Sequence, residues 1–329
     1  MAKHVLKKLL IALVTIYVII TLSFILVHIM PGDPIIHLVG QEEYYYLLDN
    51  DPETLHRMAE KFGLNDSLPV QYLRYLKNIV TLDFGISYSN QQPVLENVLR
   101  ASGWTLLLSV PTWIIGGFLG AVLGVLAGWR PGKLFDKIMT PVFLVINTIP
   151  SNCLSLVLLI IFAYKLKFFP INGMVSPGVE GTARIFSIME HMFLPLIILI
   201  LFRISGDFML MKSAVSQVRG EEYIITAQSK GLPEKKVLFR HVMKNAMLPY
   251  LTSFCMQFGG LLSGSMIVEV VFGWKGMGTL MYNAVSSRDF PTAQFCFLLS
   301  AVLVVFANLI SDVINAAVDP RLREEGVDE

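Results

Sequence analysis

Residues 221–249 read EEYIITAQSKGLPEKKVLFRHVMKNAMLP, a polar segment in a chain that consists mostly of apolar runs. The segment starts as an acidic, helix-forming run, breaks at Gly231, and continues after Pro233 as a basic amphipathic run. Glycine accepts the left-handed backbone conformation that ends many helices, and proline fits the first turn of the next helix. The pattern therefore predicts two helices joined by a sharp break, and we call residues 221–249 the elbow.

The composition around the elbow is that of a membrane protein. The chain has 329 residues, of which 54% are hydrophobic and 16% are charged, whereas soluble domains have roughly 25% charged residues. The net charge of +1 provides no basic field that would attract nucleic acid. Cys153, Cys255 and Cys296 lie inside apolar runs, which indicates small core residues and not disulfides or metal ligands.

The apolar runs predict an all-α membrane protein with six transmembrane helices. The first run, residues 9–30, has no Asp, Glu, Lys or Arg over 22 positions, and a helix that crosses a bilayer needs about 20 residues. This run is too long for the core of a signal peptide, so we expect it to remain as a membrane helix. The other five spans are expected at residues 104–129, 139–164, 192–211, 246–268 and 292–311.

The polar segments define the rest of the organisation. Residues 31–103 predict an extracellular insertion that contains short helices at residues 52–62 and 68–80. The remaining parts are a transmembrane core at 104–318, a cytoplasmic coupling loop within it at 217–245, and a cytoplasmic tail at 319–329. The predicted cytoplasmic segments hold 15 Lys and Arg residues, against five in the short extracellular loops. Because positive charge collects on the cytoplasmic side, both chain ends are expected inside.

The spans also carry signals for packing and for a solute pathway. Glycines recur every four residues from 116 to 128, which predicts one smooth helix face for close packing. Pro141 and Pro150 kink the third span and free backbone carbonyls, which fits a pathway wall or simple packing. Arg203 and Asp207 share a helix face, either as a structural ion pair or as part of a gate. The candidate pathway or gate residues are Asn147, Pro150, Arg203, Asp207, Gln257 and Ser263.

The chain lacks motifs for chemistry of its own. It has no G-x-x-x-x-G-K-[ST] loop for nucleotide phosphates and no H-E-x-x-H zinc motif. Its six histidines show no metal-ligand spacing, and no serine occupies the G-x-S-x-G motif of hydrolases. We therefore expect a non-catalytic chain that binds no cofactor or metal and draws its energy from another subunit.

Several positions match a known family. In the elbow these are Tyr223, Thr226, Ala227, Gly231, Leu232, Arg240, His241, Asn245, Ala246, Leu248 and Pro249. They resemble the cytoplasmic EAA loop of ABC importer permeases, most closely the B-type permease of the dipeptide, oligopeptide and nickel group. Residues 83–87, 269–291 and 319–321 resemble other signatures of that family. Two departures are Gln228, in place of the second alanine of a doublet, and Lys275, where the family usually has proline.

The resemblance implies the type I ABC importer permease fold, in the cytoplasmic membrane of a bacterium or an archaeon. It also implies a second, homologous permease subunit in a heterodimer, two ATPase subunits that bind ATP and Mg, and an extracellular substrate-binding protein. In that family the elbow docks on an ATPase subunit. The docking residues implied here are Glu222, Tyr223, Thr226, Ala227, Gly231 and Leu232.

The cargo implied by the resemblance is a di- or oligopeptide, with a nickel chelate or another small solute as the alternative. A second hypothesis is a stand-alone channel or ion-coupled carrier, but the spans offer only Arg203, Asp207 and His28 as titratable groups. A membrane-embedded hydrolase is a third hypothesis, and the missing catalytic residues speak against it.

Overall fold

The structure is a computed structural model, and it describes residues 2–29, 34–61, 65–262 and 265–318. Helices form the regular secondary structure of these ranges, in agreement with the predicted all-α class. The predicted pathway residue Ser263 lies outside the described residues, as do the family-like positions 319–321.

A long helix, α1 (Ala2–Ile29), covers the first predicted span and precedes four short helices. These are α2 (Pro34–Val39), α3 (Gln41–Asn50), α4 (Pro52–Lys61) and α5 (Leu68–Thr81). The last two are the short helices that the sequence predicts for the insertion. The first three pack around an apolar cluster of their own, which consists of Ile35, Leu47, Leu55 and Ala59.

The second span begins ten residues before its expected start at residue 104. A single helix of 36 residues comprises α6 (Val94–Pro111), a π-helical segment (Thr112–Gly116) and α7 (Gly117–Trp129). The charged residues Glu96 and Arg100 pair with each other on the exposed face, while Val94 and Val98 are buried against the last helix of the chain. Residues 94–103 of the predicted insertion therefore belong to this helix, whose buried face the two charges do not interrupt.

The third predicted span, residues 139–164, is a sharply broken helix and not a gently kinked one. Its parts are α8 (Leu134–Thr148), α9 (Ser151–Leu158) and a π-helical continuation (Leu159–Lys165). The helices before and after the break meet at 100°. Pro150 explains the break, since proline lacks an N–H donor and disfavours the helical conformation of the residue before it. Ile149 accordingly has an extended ψ of 128°.

The longest helix, α10 (Gly181–Arg219), has 39 residues and includes the fourth predicted span, residues 192–211. It begins within residues 165–191, which lie between the third and fourth predicted spans. Residues 182–191 contain no glycine or proline that would stop a helix, so the helix extends through them and the loop ends at residue 180.

The elbow follows α10 as α11 (Glu222–Ser229) and the start of a second helical run. That run consists of α12 (Glu234–Lys236), a π-helical segment (Val237–Val242), α13 (Met243–Met256) and a 3₁₀ segment (Gln257–Leu262). The last helices are α14 (Met266–Phe272), α15 (Met277–Ser286) and α16 (Phe290–Val318). Among the described residues, four helices are long and apolar enough to cross a membrane, or up to six if each bent pair forms one span.

The glycine stripe of the second span packs directly against α10, as predicted. A Cβ atom added at Gly120 would lie 2.7 Å from Cβ of Asp207, and one at Gly124 would lie 2.7 Å from the carbonyl oxygen of Phe208. Ordinary carbon contacts have their optimum at about 3.5–4.0 Å. Any side chain at these positions would therefore push α7 away from α10.

Candidate functional site

The elbow turns at Gly231, as its sequence predicts. Gly231 has a φ of +74°, in the left-handed region that other residues disfavour. Its N–H donates to the carbonyl oxygen of Gln228 at 2.9 Å, and Pro233 precedes the first residue of α12. The two arms of the elbow are thus joined by a turn of defined geometry.

The inner face of the elbow is buried on both sides of this turn. The buried side chains of the two arms are Ile224, Ala227, Val237, Leu238, Val242 and Ala246. They pack in one cluster with Trp129 of α7, with Met211 and Val215 of α10, and with Tyr250 of α13. Because both arms share this core, the elbow and the ends of α7 and α10 form one packed unit.

Polar contacts between neighbouring segments reinforce this unit. The Asn245 side-chain amide donates to the Tyr223 hydroxyl at 2.6 Å, which ties α13 to α11. Arg130, after α7, forms an exposed ion pair with Glu234 of α12 at 2.7 Å. Exposed pairs stabilise little, so the buried apolar face provides most of the rigidity.

The outward face of the elbow contains the residues that a partner could reach. Of the predicted docking residues, Glu222, Tyr223, Thr226 and Gly231 are exposed, Leu232 is half-buried, and Ala227 lies in the core. The sequence interpretation did not single out Ile225 and Phe239, whose side chains are 55% and 68% exposed. Their signal in the sequence is that both are apolar and lie off the buried helical stripe of their arm.

A buried polar contact fixes the turn between α7 and α8 to α10. Asp136 Oδ1 lies 2.6 Å from Nζ of Lys212, and the Gly132 N–H and the Thr140 hydroxyl donate to the same carboxylate at 2.8 and 2.7 Å. Lys212 also donates to the Thr140 hydroxyl at 2.7 Å. These bonds hold α8 beside α10 at the end of the molecule that carries the elbow.

The predicted ion pair between Arg203 and Asp207 lies further along α10. Arg203 Nε lies 2.7 Å from Asp207 Oδ2, and the two side chains are 11% and 3% exposed. The Arg203 guanidinium lies over the ring of Phe254 at 5.7 Å. The Gln257 side-chain amide reaches Asp207 Oδ1 at 3.5 Å. Removing two charges from water is costly, so such a pair needs a structural or functional reason.

A cavity of about 360 Å³ lies beside this pair. Its walls are largely apolar with a few polar groups, and include Ser109, Trp113, Phe202, Arg203, Gln257 and Leu261. Its size falls in the range of small-molecule sites, as does its combination of apolar walls and few polar groups. The structure therefore brings Arg203 and Gln257 together at one opening, with Asp207 paired to Arg203.

The other predicted pathway residues, Asn147 and Pro150, flank the break between α8 and α9 and do not line this cavity. Both are exposed. Inside a membrane, backbone that leaves the helical conformation must be covered by protein or must face water. The break is therefore a separate surface that needs a partner or an aqueous pathway.

The sequence interpretation also missed the contribution of the second span to the cavity. Trp113, in the π-helical segment, stacks on Phe254 at 4.2 Å and donates its indole N–H to the Phe254 carbonyl at 3.0 Å. Ser109 lies one turn earlier and lines the same cavity. The available signal was Pro111, because proline inside a helix disturbs the hydrogen-bond ladder, and π-bulges often occur at functional sites.

Next to Ser265, which lines the cavity, Glu269 is a fully buried carboxylate. The hydroxyls of Thr105 and Ser265 both donate to its Oε1 at 2.7 Å, and the Thr279 N–H donates to Oε2 at 3.2 Å. Gly276 and Gly278 lie against Glu269 with no room for a side chain. This network fixes the loop between α14 and α15 to α6.

Asp289 similarly joins the insertion to the start of α16. The Ser87 hydroxyl donates to its carboxylate, as do the Tyr88 N–H at 3.1 Å and the Thr292 hydroxyl at 2.8 Å. Burial, together with the neighbouring Asp289, raises the pKa of Tyr88 to about 12. Among the described residues, no three His, Cys, Asp or Glu side chains are grouped to hold a metal ion.

Comparisons with known proteins match nearly the whole chain. Residues 120–324 match the family described as binding-protein-dependent transport system inner membrane component, and residues 1–109 match its N-terminal membrane component. An oligopeptide transport system permease protein, AppB of Bacillus subtilis, is 33% identical over 98% of this chain and 99% of its own length. A di/tripeptide transport system permease protein, DppB of Pseudomonas aeruginosa, is 29% identical over 99% of this chain and 100% of its own length.

A third relative is a glutathione transport system permease protein, GsiC of Salmonella paratyphi A. It is 32% identical over 98% of this chain and 99% of its own length. The family match and these relatives together cover almost every residue. The chain therefore belongs to the family of binding-protein-dependent transport system inner membrane components.

Proposed function

We propose that this chain is one permease subunit of an ATP-driven ABC importer for di- or oligopeptides. The observation that carries the proposal is the structure of the elbow. Its outer face is exposed, and its inner face packs against α7 and α10. The relatives that are named as oligopeptide and di/tripeptide permeases support the cargo class. Nickel chelates or another small solute are the alternative cargo, and a stand-alone channel or carrier has less support.

The proposed topology has six spans with both chain ends in the cytoplasm, and residues 31–103 lie largely outside the cell. Each bent helix pair then counts as one broken span. The excess of Lys and Arg in the elbow and in the α7–α8 turn supports this orientation. The cell is a bacterium or an archaeon, and the relatives named above are bacterial.

The proposed complex contains a second, homologous permease subunit, two ATPase subunits and an extracellular substrate-binding protein. ATP and Mg bind to the ATPase subunits, and this chain contributes no catalytic group. The heterodimer places the exposed break between α8 and α9, with Asn147 and Pro150, against the partner permease or the pathway. Arg203, Asp207, Gln257 and Ser263 are the further pathway or gate residues of the proposal.

In the proposed coupling, an ATPase subunit contacts the outward face of the elbow through Glu222, Tyr223, Thr226, Gly231 and Leu232. Ala227 acts from inside, because its side chain anchors α11 in the shared core. ATP binding and hydrolysis then drive alternating access by favouring one position of the elbow over the other. A ligand or partner shifts such an equilibrium only through different contacts in the two states, and the elbow supplies the surface for those contacts.

The test is uptake of labelled trialanine into proteoliposomes that contain the two permease subunits, the ATPase subunits and the binding protein. We expect accumulation with ATP and none with an ATPase subunit that cannot hydrolyse it. Transport by this chain alone, or transport that persists without ATP, would refute the proposal. Uptake of a nickel chelate without uptake of peptides would retain the machinery and change the cargo.

A further inference from the structure

The cavity beside α10 contains two buried donors that have no hydrogen-bond partner among the described residues. They are Nη2 of Arg203 and the hydroxyl of Ser109. Arg203 Nε and Asp207 Oδ2 also form no hydrogen bond of good geometry, although they lie 2.7 Å apart as an ion pair. Nη2 therefore retains donor capacity beside this pair. Both residues line the same opening.

Unpartnered donors at this depth need an explanation. Buried polar groups in native proteins are nearly always hydrogen-bonded, and exceptions indicate a function or a ligand. Two hydroxyls that line the cavity are already engaged elsewhere. The Thr112 hydroxyl donates to the Leu108 carbonyl at 2.7 Å, and the Ser265 hydroxyl donates to Glu269 at 2.7 Å.

We propose that this cavity binds the carboxylate end of the transported solute, with Arg203 and Ser109 as the donors. The inference rests on the proposed function and adds the chemical class of the group that the pathway recognises. A guanidinium presents a planar fork that matches the two oxygens of a carboxylate. Asp207 is a positioning residue. Its contact with Nε orients the Arg203 guanidinium, so that the other N–H groups remain available to the carboxylate of the solute.

The position and size of the cavity fit this role. Arg203 precedes Lys212 by nine residues, or about 14 Å along a helix with a rise of 1.5 Å per residue. The site therefore lies about halfway across a bilayer core of roughly 30 Å, if Lys212 marks the cytoplasmic boundary. The apolar walls at Trp113, Phe202 and Leu261 accept an uncharged side chain next to the carboxylate.

The experiment compares trialanine with trialanine amide, two ligands that differ only in the terminal carboxylate. Binding is measured by calorimetry on the assembled permease–ATPase complex in lipid nanodiscs, without the binding protein, with and without a non-hydrolysable ATP analogue. In at least one of these states we expect the carboxylate ligand to bind about tenfold more tightly than the amide, as one lost charge-assisted hydrogen-bonded contact implies.

Two variants and one control make the test specific. Ser109→Ala keeps every charge. It is expected to weaken the binding of trialanine by a few-fold and to leave the binding of trialanine amide unchanged. The double variant Arg203→Met/Asp207→Leu removes both charges, so that no unpaired charge remains buried, and is expected to abolish the preference. Arg184→Met removes an exposed cation from the same helix, and this control is expected to keep the preference for the carboxylate ligand.

The inference is overturned if the two ligands bind equally well to the unmodified complex, or if the double variant keeps the tenfold preference. Water or a simple salt anion then occupies the cavity. ATP-driven uptake of trialanine is measured in parallel to separate two outcomes. If trialanine is taken up but the two ligands bind equally well, only the carboxylate-site inference is refuted. If no peptide is taken up, the proposed function is refuted.

Discussion

Replacing Gly231 by valine is expected to uncouple ATP hydrolysis from transport while the chain still folds and inserts. Gly231 has a φ of +74°, and within the part of the chain that the structure describes, no atom beyond its chain neighbours lies within 4 Å of the position where a Cβ would be. A Cβ therefore meets no steric obstacle among these residues. Its effect comes from the backbone conformation alone.

The magnitude follows from that conformation. An L-residue in the left-handed region costs roughly 1–2 kcal/mol, and β-branched residues are the least tolerated there. Since about 1.4 kcal/mol corresponds to a factor of ten, the native turn loses roughly a factor of 5–30 in population relative to other elbow conformations. Asparagine tolerates the left-handed region several-fold better than most residues, so Gly231→Asn is the matched control that also carries a Cβ.

The assay measures ATP hydrolysis and peptide uptake in the same proteoliposomes, with the amount of inserted permease determined by immunoblot. For Gly231→Val we expect uptake per ATP to fall by up to roughly the factor above, and for Gly231→Asn we expect most of it to remain. Equal loss in both variants would show that a Cβ collides with the ATPase subunit. Unchanged uptake per ATP in Gly231→Val would refute the view that this turn transmits the motion.

Two further predictions concern the core and the insertion. Gly124→Ala is expected to destabilise the chain by about 1–3 kcal/mol through overpacking, because its Cβ would lie 2.7 Å from the Phe208 carbonyl oxygen. The melting temperature of this variant should fall. The control Gly103→Ala, where a Cβ would have open space, should keep the melting temperature of the unmodified chain. Asp289→Ala is expected to cost about 1–3 kcal/mol by leaving buried donors unpaired and to speed amide exchange in residues 85–93. Ser287→Ala, which removes only two exposed hydrogen bonds, is the control, and equal exchange in the two variants would contradict the reasoning.

The features that the sequence predicted correctly depend on local chemistry. A left-handed turn at Gly231 follows from the absence of a Cβ and from Pro233 two residues later. The glycine period of four determines which face of α7 is smooth, and this face is the one that contacts α10. The positions of α4 and α5 also follow from local sequence, and their described boundaries lie within one residue of the predicted ones.

The features that it missed depend on contacts between distant segments. Only the burial of Val94 and Val98 against α16 shows that the second span begins before residue 104. Pro150 predicts a break in the third span. The angle of 100° between the helices before and after it depends on how both halves pack. Ala227 was expected at a docking surface, and its burial depends on the rotation of α11 relative to α10, which a short motif does not encode.

The placement of α10 explains how a push on the elbow can reach the cavity. Met211 and Val215 of α10 lie in the cluster that holds both arms of the elbow, and Arg203 lies on the same helix two to three turns away. Protein interiors are close-packed and transmit displacement with little loss, and the glycine stripe keeps α7 in backbone contact with α10 over this length. A displacement of the elbow therefore moves the ends of α7 and α10 together with the start of α13, whose Tyr250 lies in the same cluster. Arg203 of α10 lies over Phe254 of α13, so a step that moves the elbow reaches the proposed carboxylate site through both helices.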